Sequence, residues 1–282
     1  MKRKIFTTLL LSILLLSCTK NVEKNSVITE PQRIVADYYI GELLMLNAKL
    51  VGADLTYKSS AWEHKVVDIV DVGQSMEKIM SLNPDLIITI NQDRVEQYRA
   101  IAPTVIIPYG TYNPEELIVE LSKITSTEDI AQQWIDKFNS EINELDKLIR
   151  SKTETYTIID IWGGNAYLYG EHFGRGGYII YNKLKLKGTA DGEKDYIRKP
   201  DSYLTVNIES LEKYSGNRLL VMSTEDPKVS GSFIMDNVIW KNLEAVKNNH
   251  IFYLKSEDFW FTDPFSLDLQ IELLKEVLSD SI

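Results

Sequence analysis

The chain has 282 residues, 44% hydrophobic and 26% charged, with a net charge of −10 at pH 7. That is ordinary globular composition, and the length supports one large or two medium domains that fold without disulfides. Acidity of this degree excludes nucleic acid as a partner, and a single cysteine excludes a disulfide framework.

The cysteine, Cys18, sits at an informative place. Lys2, Arg3 and Lys4 precede an apolar run from Ile5 to Leu16. Twelve helical residues rise about 18 Å, short of the roughly 30 Å hydrocarbon core, so the run reads as a signal-peptide segment and not a permanent span. Leu15-Leu16-Ser17-Cys18 resembles a lipobox, in which the cysteine becomes the lipidated first residue of the mature chain. Two acyl chains would give the firm anchor that one lacks. Cleavage removes three cations and takes the net charge from −10 to −13. Residues 1–17 are therefore read as a signal peptide and 18–31 as a lipid-anchored flexible tether ending at Pro31.

Beyond Pro31, apolar strands alternate with helical patterns. Arg33–Ala36 is predicted as a strand, Ile40–Asn47 as a helix and Leu50–Ala53 as a strand. Ser75–Leu82 is a helix stopped by Asn83-Pro84, and Asp85–Ile90 is a buried strand. Arg94–Ile101 is helical, Thr104–Ile107 a strand, and Pro114–Ile124 a helix with proline in its first turn. The alternation predicts a largely parallel sheet covered by helices on both faces.

The longest helical signal follows. Thr127 is placed to cap it, and Glu128 and Asp129 fall in the first turn, where the helix dipole favours acids. Ile130, Trp134, Phe138, Ile142, Leu145 and Ile149 recur at spacings of three and four. A helix of roughly 25 residues would span about 37 Å. Past it, Tyr156–Trp162, Ala166–Tyr169, Arg218–Ser223 and Ile251–Leu254 read as strands. Gly176–Leu184, Ile208–Tyr214 and Pro264–Leu278 read as helices. The simplest arrangement is two α/β lobes (32–125 and 153–282) joined by one long helix (126–152).

Catalytic signatures are missing. His64, His172 and His250 lie far apart with no carboxylate at ligand spacing, so a direct zinc, copper or manganese site lacks its ligands. No phosphate loop is present, and Gly73-Gln74-Ser75-Met76-Glu77 lacks the last glycine of a nucleophile elbow. Aromatic residues are plentiful, with 15 Tyr, 8 Phe and 5 Trp. Several fall at strand ends, where open α/β sheets bind ligands: Tyr38 and Tyr39, Tyr109 and Tyr112, Phe173 beside Arg175, and Phe259-Trp260-Phe261.

These residues resemble the receptors of iron-siderophore and vitamin B12 importers, and among them the Gram-positive lipoprotein receptors for ferric hydroxamates. The resemblance runs from about Pro31 to Leu278. It is carried by Tyr169-Gly170-Glu171-His172-Phe173-Gly174-Arg175-Gly176-Gly177, by Trp240-Lys241-Asn242-Leu243 and by Trp260-Phe261-Thr262-Asp263-Pro264. It implies a class III periplasmic-binding-protein fold, with two Rossmann-like lobes, one rigid linking helix and a shallow cleft between the lobes.

It further implies a monomeric receptor, not an enzyme, that takes a ferric siderophore without any cofactor and hands it to an ABC permease. By this likeness Arg175 donates to the hydroxamate oxygens. Phe173, Trp260, Phe261, Tyr109 and Tyr39 contact the siderophore, and Phe173 stands where relatives carry Trp. Glu77 and Asp236 would dock on the permease; where relatives carry Glu this chain has Met235, and Asp236 follows it one position on. A siderophore supplies all six iron ligands, so the protein needs only an apolar concavity with a few oriented donors. A neutral tris-hydroxamate centre asks for one arginine, whereas a tris-catecholate carries three negative charges and asks for a cationic cluster. Lys58, Arg94, Arg198 and Lys228 are unplaced by sequence. A catecholate siderophore, haem or a corrinoid stays open as the ligand, as does a lipid-anchored enzyme or interaction module.

Overall fold

A strand with apolar side chains on both faces needs cover on both faces, and the chain builds two sheets of such strands. The structure is a computed structural model that describes residues 33–149, 153–162, 165–172, 174–223 and 232–279. The first sheet contains β1 (Ile34–Ala36), β2 (Leu50–Ala53), β3 (Val70–Asp71), β4 (Leu86–Thr89) and β5 (Thr104–Ile106), ordered β3-β2-β1-β4-β5. All its pairings are parallel. Ile34, Ala36, Leu86 and Ile88 face the main core, while Val35 and Ile87 join a smaller cluster with Val72, Ile79 and Tyr98 on the other face. That is the two-residue period of a strand buried on both sides.

The second sheet contains β6 (Tyr156–Trp162), β7 (Asn165–Tyr169), β8 (Tyr203–Val206), β9 (Arg218–Ser223) and β10 (Ile251–Lys255), ordered β10-β9-β6-β7-β8. β10, β9 and β6 are parallel, but β7 runs antiparallel to β6 and β8 antiparallel to β7. Only Gly163-Gly164 separates β6 from β7, too short a link for a parallel crossover.

Helices α1 (Ile40–Met45), α2 (Met76–Ser81), α3 (Val95–Arg99) and α4 (Pro114–Thr125) belong to the first sheet's half. α4 starts with a reciprocal cap, Asn113 and Glu116 each binding the other's backbone N–H. The linking helix α5 (Glu128–Leu148) has 21 residues, shorter than the periodicity suggested. It buries Ala131, Trp134, Phe138, Ile142 and Leu145. The expected cap does not form: the Thr127 side chain makes no capping bond, and its hydroxyl pairs instead with that of Thr125 at 2.7 Å. Trp134 and Phe138 stack at 5.0 Å, and Phe138 lies parallel to Tyr178 at 6.5 Å. The C-terminal helix, Pro264–Ser279, packs along α5 and α1. The predicted helix over Gly176–Leu184 is a π-helix at Tyr178–Lys183.

Candidate ligand-binding cleft between the two sheets

The strand order of the first sheet reverses between β1 and β4, and open α/β sheets bind ligands outside the carboxyl ends of the strands at such a point. Tyr38 and Tyr39 leave β1 there. Tyr39 has left-handed backbone (φ 63°), and its hydroxyl donates to the Ile107 carbonyl at 3.1 Å. It is only 6% exposed. Tyr38 stands edge-on to Tyr39 at 5.2 Å and to Tyr109 at 5.7 Å. Tyr109 is 59% exposed and presents the open face of this aromatic corner.

In the second sheet's half, Arg175 also has left-handed backbone (φ 68°), a conformation few non-glycine residues hold without a structural reason. Its N–H donates to the Phe259 carbonyl at 2.5 Å. Gly174 touches the Trp260 carbonyl so closely that a Cβ would collide with it. These contacts seat the Arg175 turn on the segment after β10. The guanidinium lies 5.2 Å from the Tyr169 ring centroid and 5.7 Å from that of Trp260, both within cation–π range. Its Nε donates to Asp160 Oδ2 at 3.0 Å, and Ser256 donates to Asp160 Oδ1 at 3.3 Å. Arg175 also holds down the pKa of the Tyr109 phenol, which desolvation first raises and Glu42 raises further.

Behind this surface the halves are bolted together. Trp62 Nε1 donates to Asp263 Oδ2 at 3.1 Å, Ser60 to Asp258 at 2.6 Å, and Ser59 pairs with Ser266 at 2.7 Å. A Cβ on Gly41 would run into the Asp263 carboxyl, so α1 reaches that residue only because position 41 is glycine. Glu42, on the same turn, is buried; desolvation and then Asp263 push its pKa up to about 8. Burial also raises Asp263, but Trp62 and the backbone and hydroxyl of Ser266 support its charge, so the proton belongs on Glu42. A second bolt joins Glu115 of α4 to Lys183 (2.9 Å) and Tyr178 (2.5 Å), and Lys183 also donates to Asn139 of α5 at 2.8 Å.

The structure brings Arg175 and Trp260 together in the second sheet's half and sets Tyr109 with Tyr38 beside the buried Tyr39 in the first. Phe261 is half-buried at the junction, 6.1 Å from Trp62. Phe173 and Cys18 lie outside the described residues. Glu77 is exposed on α2, its carboxylate lowered in pKa by its own backbone amide and the Ser75 hydroxyl. Asp236 is exposed, 3.7 Å from Lys241. Arg198 is engaged by Glu171 and Glu193, Arg94 donates to the Gln74 carbonyl at 3.0 Å, Lys58 is exposed, and Lys228 lies outside the described residues.

Sequence reasoning passed over Asp160, Ser256, Tyr169 and Glu42. The signal for two of them was there: Asp160 interrupts an apolar strand and Glu42 an apolar helix, and buried charges need partners. Two surface hollows lie elsewhere, about 500 Å³ between Met76, Met80 and Ile101, and about 570 Å³ beside Tyr112 and Val119. Neither contains Arg175, so the chemistry and not the depth marks the cleft.

Known proteins share this fold. The iron(3+)-hydroxamate-binding protein FhuD of Bacillus subtilis is 33% identical over 258 residues, covering 88% of this chain and 82% of that one. Among solved structures, FhuD from S. pseudintermedius superimposes with a TM-score of 0.81 at 28% identity, over 90% of this chain and 93% of that one. FhuD2 from Staphylococcus aureus with bound ferrioxamine B gives 0.77 at 29% identity, over 88% and 98%. The sequence profile described as periplasmic binding protein matches residues 38–257. With two such sheets and one linking helix, this chain belongs to the periplasmic binding protein family, and it is a substrate-binding receptor rather than an enzyme.

Proposed function

We propose that the protein captures a ferric hydroxamate-type siderophore outside the cytoplasm and delivers it to the permease of an ABC importer. The observation that carries this reading is Arg175, its guanidinium within cation–π range of both the Tyr169 and Trp260 rings. A planar group with several donors, framed by aromatic surface, suits a chelate that presents oxygens around an already coordinated ferric ion. The names of the Bacillus subtilis and Staphylococcus aureus relatives support the same ligand class.

In this reading Trp260, Phe173, Phe261 and Tyr109 contact the chelate, with Tyr39 as the support beneath. Residues 1–17 are a signal peptide, Cys18 carries the lipid anchor, and 18–31 tether the receptor to the outer face of the membrane. The lobes are 32–125 and 153–282, with 126–152 linking them, and the receptor works as a monomer. Glu77 on one lobe and Asp236 on the other are the acids that meet the permease.

The test is tryptophan fluorescence of the soluble form beginning at Thr19, titrated with ferrichrome, ferrioxamine B and a ferric tris-catecholate. A ferric chelate against Trp260 quenches it saturably. Arg175→Ala removes a charged donor set, a loss of about 1.5–3 kcal/mol or roughly ten- to a hundredfold in Kd. Saturable quenching by the hydroxamates, weakened by that substitution, supports the reading. A response to none of the chelates overturns it.

A further inference from the structure

The carboxylate that holds Arg175 also cancels its charge. Asp160 sits at the centre of β6, and its side chain is 9% exposed against 17% for Arg175. The two are joined through a single guanidinium nitrogen, Nε, at 3.0 Å. Asp160 therefore engages one edge of the guanidinium, and the other oxygen is held by Ser256. An arginine used only as a positive anchor gains nothing from a buried carboxylate at its back, since both ions lose hydration there. The arrangement makes sense where direction of the donors is wanted and net charge is not.

We propose that Asp160 is a positioning and specificity-determining residue. It aims the guanidinium across the cleft and keeps the site electrically neutral, so that the receptor prefers an uncharged ferric complex to an anionic one. This rests on the siderophore reading and deepens it. The first sheet's half offers an aromatic corner of Tyr38 and Tyr109, edge-on at 5.7 Å, and the Arg175 charge reaches the Tyr109 phenol, whose pKa it lowers against the larger rise from desolvation. A complex carrying three negative charges meets a matched ion pair, where an unmatched arginine would attract it.

The experiment compares the Kd of ferrichrome, whose complex is neutral, with that of a ferric tris-catecholate, for wild type and three variants. Asp160→Asn keeps shape and removes the cancelling charge. It is expected to shift the ratio of the two affinities toward the catecholate by about tenfold or more, because a unit charge acts on three charges in a partly dry site. Arg175→Gln leaves Asp160 unmatched and is expected to shift the ratio the other way, which keeps a readout should Asp160→Asn fail to fold. The double variant, neutral at both positions, is expected to return to the wild-type ratio at weaker absolute binding. A loss of stability alone would weaken both ligands alike and leave the ratio unmoved. An unchanged ratio in the folded single variants overturns the role of Asp160 while leaving the siderophore reading intact. A wild type that binds no ferric hydroxamate overturns both.

Discussion

Glu42 is a carboxyl group buried against a second carboxyl, and its removal has a calculable signature. The Glu42 pKa rises from 4.5 to about 8, chiefly through burial and then through Asp263. A carboxyl whose pKa is higher folded than unfolded binds a proton on folding. Its favourable contribution is complete below about 4.5 and is lost as pH rises toward 8. The difference of about 3.5 units corresponds to a ceiling of about 5 kcal/mol at 1.36 kcal/mol per unit. Relaxation of a coupled pair lowers this, and about 2–3 kcal/mol is the expected loss for wild type between pH 5 and 9. Glu42→Gln keeps the size and hydrogen-bonding capacity of the protonated acid without the titration. Guanidinium unfolding at pH 5, 7 and 9 is therefore expected to give similar stabilities at pH 5, and a variant more stable than wild type at pH 9. Asp37, also raised by burial, titrates in both proteins and cancels in the difference. A constant difference across that range would refute the assignment of the buried proton to Glu42.

Phe138 is fully buried between Trp134 and Tyr178, and Phe138→Ala is expected to cost about 3–5 kcal/mol in chemical denaturation. Gly41→Ala forces α1 away from Asp263, an overpacking penalty of about 1–3 kcal/mol, seen as a lower denaturation midpoint. Glu115→Ala strands Lys183, whose side chain is 17% exposed, and is expected to cost about 2–3 kcal/mol. A double-mutant cycle with Lys183→Met should recover most of it, and additive effects would show that no bolt exists there. Glu77→Ala is expected to leave ferrichrome affinity unchanged and to abolish uptake in cells; normal uptake would remove Glu77 from the docking surface.

Much of the fold was legible because each local pattern has one physical solution. The apolar run Leu86–Thr89 had to be a strand covered on both faces, and the three- and four-residue spacing of Trp134, Phe138, Ile142 and Leu145 had to be one helix face. The short elements were not legible. β3 has two residues and no apolar run, and β8 alternates only weakly, so their strand character comes from their neighbours in the sheet. Thr127 shows the limit of a capping rule: it stands at the N-cap position, but its hydroxyl pairs with that of Thr125 and not with a helix amide.

By itself the sequence determined the two α/β halves, the helix between them and the aromatic segments at strand ends, since these depend on periodicity and composition within single stretches of chain. Tertiary structure alone decided that Arg175 meets Asp160, that Glu42 lies against Asp263, and that Tyr39 is buried beneath the more open Tyr38–Tyr109 corner. The paired residues are 15 and 221 positions apart in sequence, and no local rule selects among the many carboxylates that could reach each partner. What selects them is burial: a charge or acid removed from water must find its partner within a few ångströms, and only the packed sheets and helices set which one is there.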